Sequence, residues 1–364
     1  MRARGFDIVV LGLSLSSSWG NGHATTYRAL LKGLAAEGHR VQFLERDVAW
    51  YAGNRDLTEP GFCDLALYRT LPELFGRFGR RLHQADAVIV GSYVPEGAAL
   101  IDRLVAEGVR PLLFYDIDTP VTLAALDRGE TAHLRPDQIP RFDAYLSFAG
   151  GRVLDHLERT RGAWRAEALY CSVDPDRYGH VPDDVARWDL GYLGTYSEDR
   201  QPGLERLLLD PARRLPDRRF VVAGPMYPDA IDWPANVDRI EHLPPARHSA
   251  FYNAQRFTLN VTRADMRRMG WSPSVRLFEA AACGTPVISD RWQGLTELFP
   301  DREAIFIADD TDTVVDLLCD LPEARRRAVG EAAQARVLGW HSGRARARQL
   351  VRILAELAVE PARN

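Results

Sequence analysis

A chain of 364 residues is long enough for two domains, each with its own hydrophobic core. Its 46% hydrophobic and 26% charged residues are those of an ordinary globular protein, which excludes a disordered or fibrous chain. The net charge of −4 provides no basic field for nucleic acid or an anionic membrane, and no run approaches the ~18–20 apolar residues of a membrane span.

Lys32 is the only lysine among 46 basic residues. Codon bias accounts for that, and it makes arginine the side-chain cation that would grip a phosphate here, with a bidentate fork. Cys63, Cys171, Cys283 and Cys319 show no metal-ligand spacing and fit reduced thiols in the cytoplasm. The start, Met1-Arg2-Ala3-Arg4 and then a short apolar run, looks superficially like a signal peptide. It leads into Ser-Trp-Gly-Asn-Gly-His rather than a cleavage site, so it reads as a first buried strand.

In chain order, Asp7–Leu13 reads as a strand, followed by a Ser/Gly loop over 14–22 and a helix over 23–37 that ends at Gly38. Strand Arg40–Leu44 comes next. Ala87–Gly91 is a strand, and 97–107 is a helix. Strand Pro111–Tyr115 ends at Asp116-Ile117-Asp118-Thr119-Pro120, and strand Ala144–Phe148 ends at Gly150-Gly151. Buried strands alternating with helices predict an α/β fold with a parallel doubly wound sheet. Ligands bind such sheets beyond the carboxyl ends of their strands. That makes the loops after Leu13, Tyr115 and Phe148, which carry Asn21, Gly22, His23, Asp116, Asp118, Gly150 and Gly151, the candidate floor of a site.

A proline- and aspartate-rich passage over 171–188 reads as an interdomain linker between a domain of 1–170 and one of 189–340, with a terminal helix over 341–364 turning back toward the first. In the second half Leu190–Leu193 is a strand, 204–215 a helix, Arg219–Ala223 a strand, and 240–243 a short extended piece. Strands Phe257–Val261 and Ala304–Ile307 complete the set. Residues 340–357 form a basic amphipathic helix with Leu350, Ile353, Leu354 and Leu357 on one face.

The most informative stretch is 272–290. Ser272 before Pro273 reads as a helix cap, Gly284 as the helix end, and a strand follows. The amides of Ser274 and Val275 would sit at a helix start, which binds anions through its N–H groups and dipole. Arg276 and Glu279, three residues apart, share one face, the arginine for a phosphate and the carboxylate for ribose hydroxyls.

With its Phe278-Glu279-Ala280-Ala281-Ala282-Cys283-Gly284-Thr285-Pro286-Val287 run, the segment resembles the donor motif of GT-B glycosyltransferases of the glycosyl transferase group 1 superfamily. The Ser272-to-Glu279 run resembles the CgeB-like (spore maturation type) members, and landmarks at 115–120, 146–151 and 172–175 agree. The resemblance implies two Rossmann-like domains facing each other across a cleft, and transfer of a sugar from a nucleoside diphosphate sugar, UDP favoured, to an acceptor hydroxyl. It implies a retaining, metal-independent hexosyltransferase with no cofactor.

By the same resemblance Gly194, Thr195 and Tyr196 form the turn near the pyrophosphate, and Arg200 neutralises the leaving diphosphate. Gly224, Pro225, Met226, His242 and Leu243 fall at the base pocket. Ser272, Ser274, Val275, Arg276 and Glu279 hold phosphate and ribose. On the first domain the resemblance implies an acceptor side at Asn21, Gly22, Asp116, Gly150 and Gly151, with His23 to polarise a hydroxyl or phosphate oxygen and Asp118 to orient an acceptor or act as a base. Trp19 and Trp271 would stack on a sugar, with core packing as the competing use. The Asp116-x-Asp118 pair resembles the metal motif of another glycosyltransferase fold and is set aside as coincidental. One position departs: the superfamily's first motif glutamate falls on Trp271, which leaves a sugar-nucleotide epimerase or a non-catalytic nucleotide- or glycan-binding scaffold as alternatives.

Overall fold

The computed structural model describes residues 5–19, 22–181 and 186–359. They divide into two compact units. One runs to Ser172 and resumes at His341, and the other spans Val173–Trp340.

The first unit holds seven parallel strands, β1 (Asp7–Gly12), β2 (Arg40–Arg46), β3 (Asp64–Tyr68), β4 (Ala87–Gly91), β5 (Leu112–Asp116), β6 (Ala144–Ser147) and β7 (Ala166–Ala168). Their order is β3-β2-β1-β4-β5-β6-β7, so the winding reverses between β1 and β4. Ile8 lies beside Val41 on one side and Ala87 on the other. The central strands are buried along almost their whole length, as a parallel sheet covered on both faces requires. The sequence reading passes over both edge strands: β7 is three residues long with a central glutamate, and β3, although it carries the apolar run Leu65-Ala66-Leu67-Tyr68, is only half-buried over most of its length.

The helix Gly22–Ala36 packs on the terminal helix Gly343–Val359 at backbone contact. A Cβ on Gly33 would meet the Gly343 carbonyl oxygen at 2.3 Å, and one on Gly343 would meet that of Ala29 at 2.0 Å. Leu350, Ile353 and Leu354 are buried, while Arg344 and Arg348 both bind Glu37.

The second unit has six parallel strands, β8 (Trp188–Leu193), β9 (Phe220–Ala223), β10 (Val237–Ile240), β11 (Gln255–Asn260), β12 (Val287–Ser289) and β13 (Phe306–Ile307), in the order β10-β9-β8-β11-β12-β13. Leu190, Tyr192, Leu207, Phe220, Phe257 and Ile288 lie in its core. The winding reverses between β8 and β11. Each half therefore has the Rossmann-like winding, and the GT-B fold class with its two parallel sheets stands.

In the second unit two elements shift furthest from the sequence reading. The extended piece expected at 240–243 is β10, which ends at Ile240. Val237 is the position it buries, and Pro244 and Pro245 follow the strand. The helix expected from 204 begins at Gln201 and runs to Arg214 through a π-turn at Glu205–Leu209, which registers Leu207, Leu208 and Leu209 all inward.

Candidate donor and acceptor-side sites

In the second unit the loops after β8 and β11, the strands flanking the reversal, carry most of the candidate donor residues. Gly194 follows β8 and its N–H donates to Ala223 O at 2.8 Å, while Tyr196 N–H donates to Pro225 O at 3.0 Å. The 194–196 and 223–225 turns thus form one double loop. Its closeness depends on two glycines. A Cβ on Gly194 would lie 2.9 Å from an Arg276 guanidinium nitrogen, and one on Gly224 would lie 2.1 Å from Gly194 O. Gly224 also has φ +141°, where side chains are strained.

The helix Val275–Ala282 begins at the same place. Its cap is Ser274, not Ser272 as the sequence suggested. Ser272 is buried two residues before the cap, and the Ser274 hydroxyl donates to Asn260 Oδ1 at 2.7 Å instead of capping. The first amides of this helix, at Val275 and Arg276, still lack partners within it. Arg276 donates through Nε to Leu193 O at 2.6 Å and through Nη1 to Asn260 Oδ1 at 2.8 Å, with its guanidinium over the Tyr192 ring. Asn260, buried at the end of β11, so orients both Ser274 and Arg276. An asparagine closing β11 after Phe257-Thr258-Leu259 was the available signal, and sequence reasoning passed over it.

Arg200 joins the group. It donates to Thr195 O at 2.6 Å. Burial first, and then the positive charges of Arg276 and Arg263, pull its guanidinium below the usual arginine range. Three arginines are therefore gathered around one turn, and sequence reasoning missed Arg263. Arg200 Nε and the Tyr192 hydroxyl are both buried without a hydrogen-bond partner. Buried orphan donors beside clustered positive charge are what an oxyanion would satisfy.

Glu279 lies further along the same helix, buried. It accepts from Tyr178 Oη at 2.8 Å and Tyr252 Oη at 3.0 Å. Burial first and then the Glu279 charge raise both phenols well above their ordinary range, so they stay donors. A carboxylate offers about four lone-pair positions, and these two bonds leave capacity for ribose hydroxyls.

Pro225 and Met226 close the double loop, with Met226 75% exposed at φ +70°. His242 is exposed, and Leu243 O lies 3.2 Å from His248 Nε2, tying it to the helix that carries Tyr252. Arg239 lies over both the Tyr227 and Trp233 rings, 4.3 Å from each centroid, and the two rings meet edge to face at 5.5 Å. Trp271, at the departing motif position, has φ +43°. Its indole N–H donates to Glu297 Oε2 at 2.8 Å and its backbone N–H to Gln293 O at 2.6 Å. The ring crosses Gly294, where a Cβ would come within 2.3 Å of it, so the indole is anchored on the 293–297 segment.

In the first unit the loops after β1, β4 and β5 bring His23, Tyr93, His133 and Asp118 together. Tyr93 lies between His23 and His133, with ring centroids at 5.5 and 4.6 Å, and its hydroxyl is 3.5 Å from Asp118 Oδ2. Tyr93 holds φ +63°, strain of the kind that gathers at functional loops. Tyr93 and His133 were missed because nothing in the sequence pairs them with position 23.

Asp116 is corrected: it is not open to an acceptor. It is fully buried, accepts from Tyr145 Oη at 2.6 Å and Thr122 Oγ1 at 2.8 Å, and burial raises its carboxyl above the usual range. Gly150 is also interior, packed where a Cβ would meet Tyr170 Oη at 2.0 Å, whereas Gly151 and Gly22 are exposed at helix starts. Asn21 lies outside the described residues.

Burial first, then the charge of His133, push the His23 imidazole down to about 4 from 6.5. A histidine lowered in the fold stabilises it fully above the unfolded value. That contribution is lost as pH falls through the folded one. Thermal melting of the protein is therefore expected to drop between pH 6.5 and about 4, and His23→Gln to flatten that drop. A variant melting profile as steep as the wild type over this window would contradict the assignment.

With this geometry in view, residues 200–352 match the family described as glycosyl transferase-like. No curated protein sequence matches the chain. Among solved structures, it is similar to a sucrose-phosphate synthase from Thermosynechococcus elongatus (TM-score 0.71, 16% identity, 97% of this chain and 99% of that one). It is similar to HepE from Anabaena, solved with UDP-glucose (TM-score 0.67, 14% identity, 96% and 100%). A glycosyltransferase from Rickettsia africae also matches (TM-score 0.66, 11% identity, 99% and 100%). At these identities the likeness establishes the shared fold. Among the described residues no helix is long and apolar enough to cross a membrane.

Proposed function

We propose that the chain is a glycosyltransferase that takes a sugar from a UDP-sugar and transfers it to an acceptor hydroxyl in the cytoplasm, with retention and without a metal, and that it is of the CgeB-like kind. The observation that carries this is the anion site of the second unit: Arg200, Arg263 and Arg276, the helix start at Val275 and two unpartnered buried donors, all around the Gly194 turn. The family match over 200–352 begins at Arg200, and a similar fold binds UDP-glucose in HepE.

Arginines supply the positive charge that neutralises the departing diphosphate, and they act where charge develops. Glu279, held by Tyr178 and Tyr252, receives the ribose hydroxyls. In a retaining course the acceptor oxygen bonds to the anomeric carbon from the face the diphosphate leaves, and the acceptor proton passes to the leaving phosphate oxygen.

UDP-, GDP- and dTDP-sugars are the panel that tests this. Release of UDP from one UDP-sugar, with a product of unchanged anomeric configuration by NMR, is the expected result. Binding of every donor without turnover, with any acceptor, favours a scaffold instead. Glu279→Gln is expected to weaken UDP binding about 10- to 100-fold by calorimetry, the loss of a charge-assisted hydrogen bond. Unchanged affinity would remove Glu279 from the site.

A further inference from the structure

We infer that the paired, exposed indoles of Trp19 and Trp50 form a carbohydrate-binding surface, so that the acceptor of the proposed transfer is itself a glycan; this rests on the glycosyltransferase reading. The two indoles pack together at 4.9 Å between centroids with their planes tilted by 58°, yet Trp19 is 42% and Trp50 65% exposed. Two large apolar rings held together in water form a ligand surface more readily than a core.

The loops that carry them are built, not loose. Trp19 follows β1 and Trp50 follows β2, at the carboxyl edge of the sheet that also leads to His23. Buried Glu45 accepts from the Leu15 and Ser16 amides at 2.7 and 2.9 Å and from the Ser16 hydroxyl at 2.6 Å. Arg28 clamps Asp56 through two nitrogens, at 3.0 and 2.6 Å, and also binds Leu15 O. Asp56 in turn accepts from the Ser18 amide and hydroxyl at 3.0 and 2.7 Å, and Ser17 Oγ donates to Asn54 O at 2.7 Å. Each tryptophan therefore sits on a segment cross-bonded to the other's. A pre-ordered aromatic face binds at low entropic cost.

The surroundings select the occupant. Residues 45–60 carry four carboxylates against two arginines, the reverse of what an anionic membrane surface attracts. Exposed Asn54, whose side-chain amide donates to Trp50 O at 3.4 Å, and exposed Asp56, which accepts from the Ser18 hydroxyl next to Trp19, put polar groups on the segments that carry the rings. An apolar face with such a rim fits a pyranose, whose C–H face stacks on an indole while its hydroxyls take hydrogen bonds at the edge.

The test uses the full chain and three probes, maltotriose, cellotriose and chitotriose, followed by tryptophan fluorescence and saturation-transfer NMR. At least one probe is expected to bind, and Trp50→Ala to weaken it tenfold or more, with Trp50→Tyr restoring part. UDP affinity is expected to stay unchanged in both variants, which shows that they are folded. Trp19→Ala gives the same result by a second route. No binding by any probe to a protein that binds UDP overturns the inference and leaves the donor reading intact. Equal glycan affinity in the variants overturns it as well, as does binding to phosphatidylglycerol vesicles lost in Trp50→Ala without glycan binding. Failure to bind UDP in the wild type would instead sink the glycosyltransferase reading.

Discussion

Arg200→Ala is expected to lower kcat about 10²- to 10³-fold, the loss seen when one preorganised donor to developing negative charge is removed. UDP affinity is expected to fall much less. The reason lies in where Arg200 sits. One guanidinium nitrogen is anchored on Thr195 O at 2.6 Å, while Nε is buried and lacks a partner. The side chain is thus oriented before any ligand arrives, and its proximity to Arg276 and Arg263 makes the unliganded cluster repulsive. Negative charge accumulating on a leaving diphosphate relieves that repulsion more than the same diphosphate does in the ground state, and only such differential stabilisation raises kcat. Arg200→Lys is expected to recover part of the rate, since it keeps the charge but loses the planar fork. Measured kcat and KM separate the readings. A raised KM with unchanged kcat makes Arg200 a binding residue only.

Much of the fold is legible in the sequence because parallel sheets advertise themselves. Ile8-Val9-Val10-Leu11 and Ala87-Val88-Ile89-Val90 are continuous apolar runs, and both are central strands. Edge strand β3 has the run Leu65-Ala66-Leu67-Tyr68, but it lacks the β-branched residues of the central strands and is half-exposed over most of its length, and the sequence reading passes over it. The donor-side candidates are legible for a related reason. Local backbone chemistry marks Gly194, Gly224 and the 275–282 helix, and backbone chemistry is written locally. What the sequence could not show is convergence. Asn260 becomes an organising residue only when β11 is placed beside the 275–282 helix, and Tyr93 joins His23 only through the order of β1 and β4. Asp116 failed in the opposite sense. Its neighbour Asp118 is half-buried, but the side chain at 116 turns inward to Tyr145; strand alternation would put both on one face, and it is the end of the strand at Asp116 that separates them.

Gly224→Ala is expected to be the most damaging small substitution in the second unit. The added methyl meets Gly194 O at 2.1 Å and Gly194 C at 2.6 Å, and both are backbone atoms that cannot rotate aside. The φ of +141° adds strain of about 1–3 kcal/mol. Strain and clash together put the loss at about 3 kcal/mol or more, roughly 6–12 °C in the melting temperature of a unit this size. Because the displaced atoms belong to the Gly194 turn, UDP affinity is expected to fall at least tenfold as well. Gly284→Ala in the same unit separates the two causes. It has φ +72°, but its nearest neighbour lies 3.5 Å away on the His180 ring, an ordinary contact. That variant is expected to lose about 1–2 kcal/mol from backbone strain alone and to bind UDP as the wild type does. Equal melting losses in the two variants would mean that the double loop yields to the methyl group, and that the close approach of Gly194 to Gly224 is not what shapes the nucleotide site.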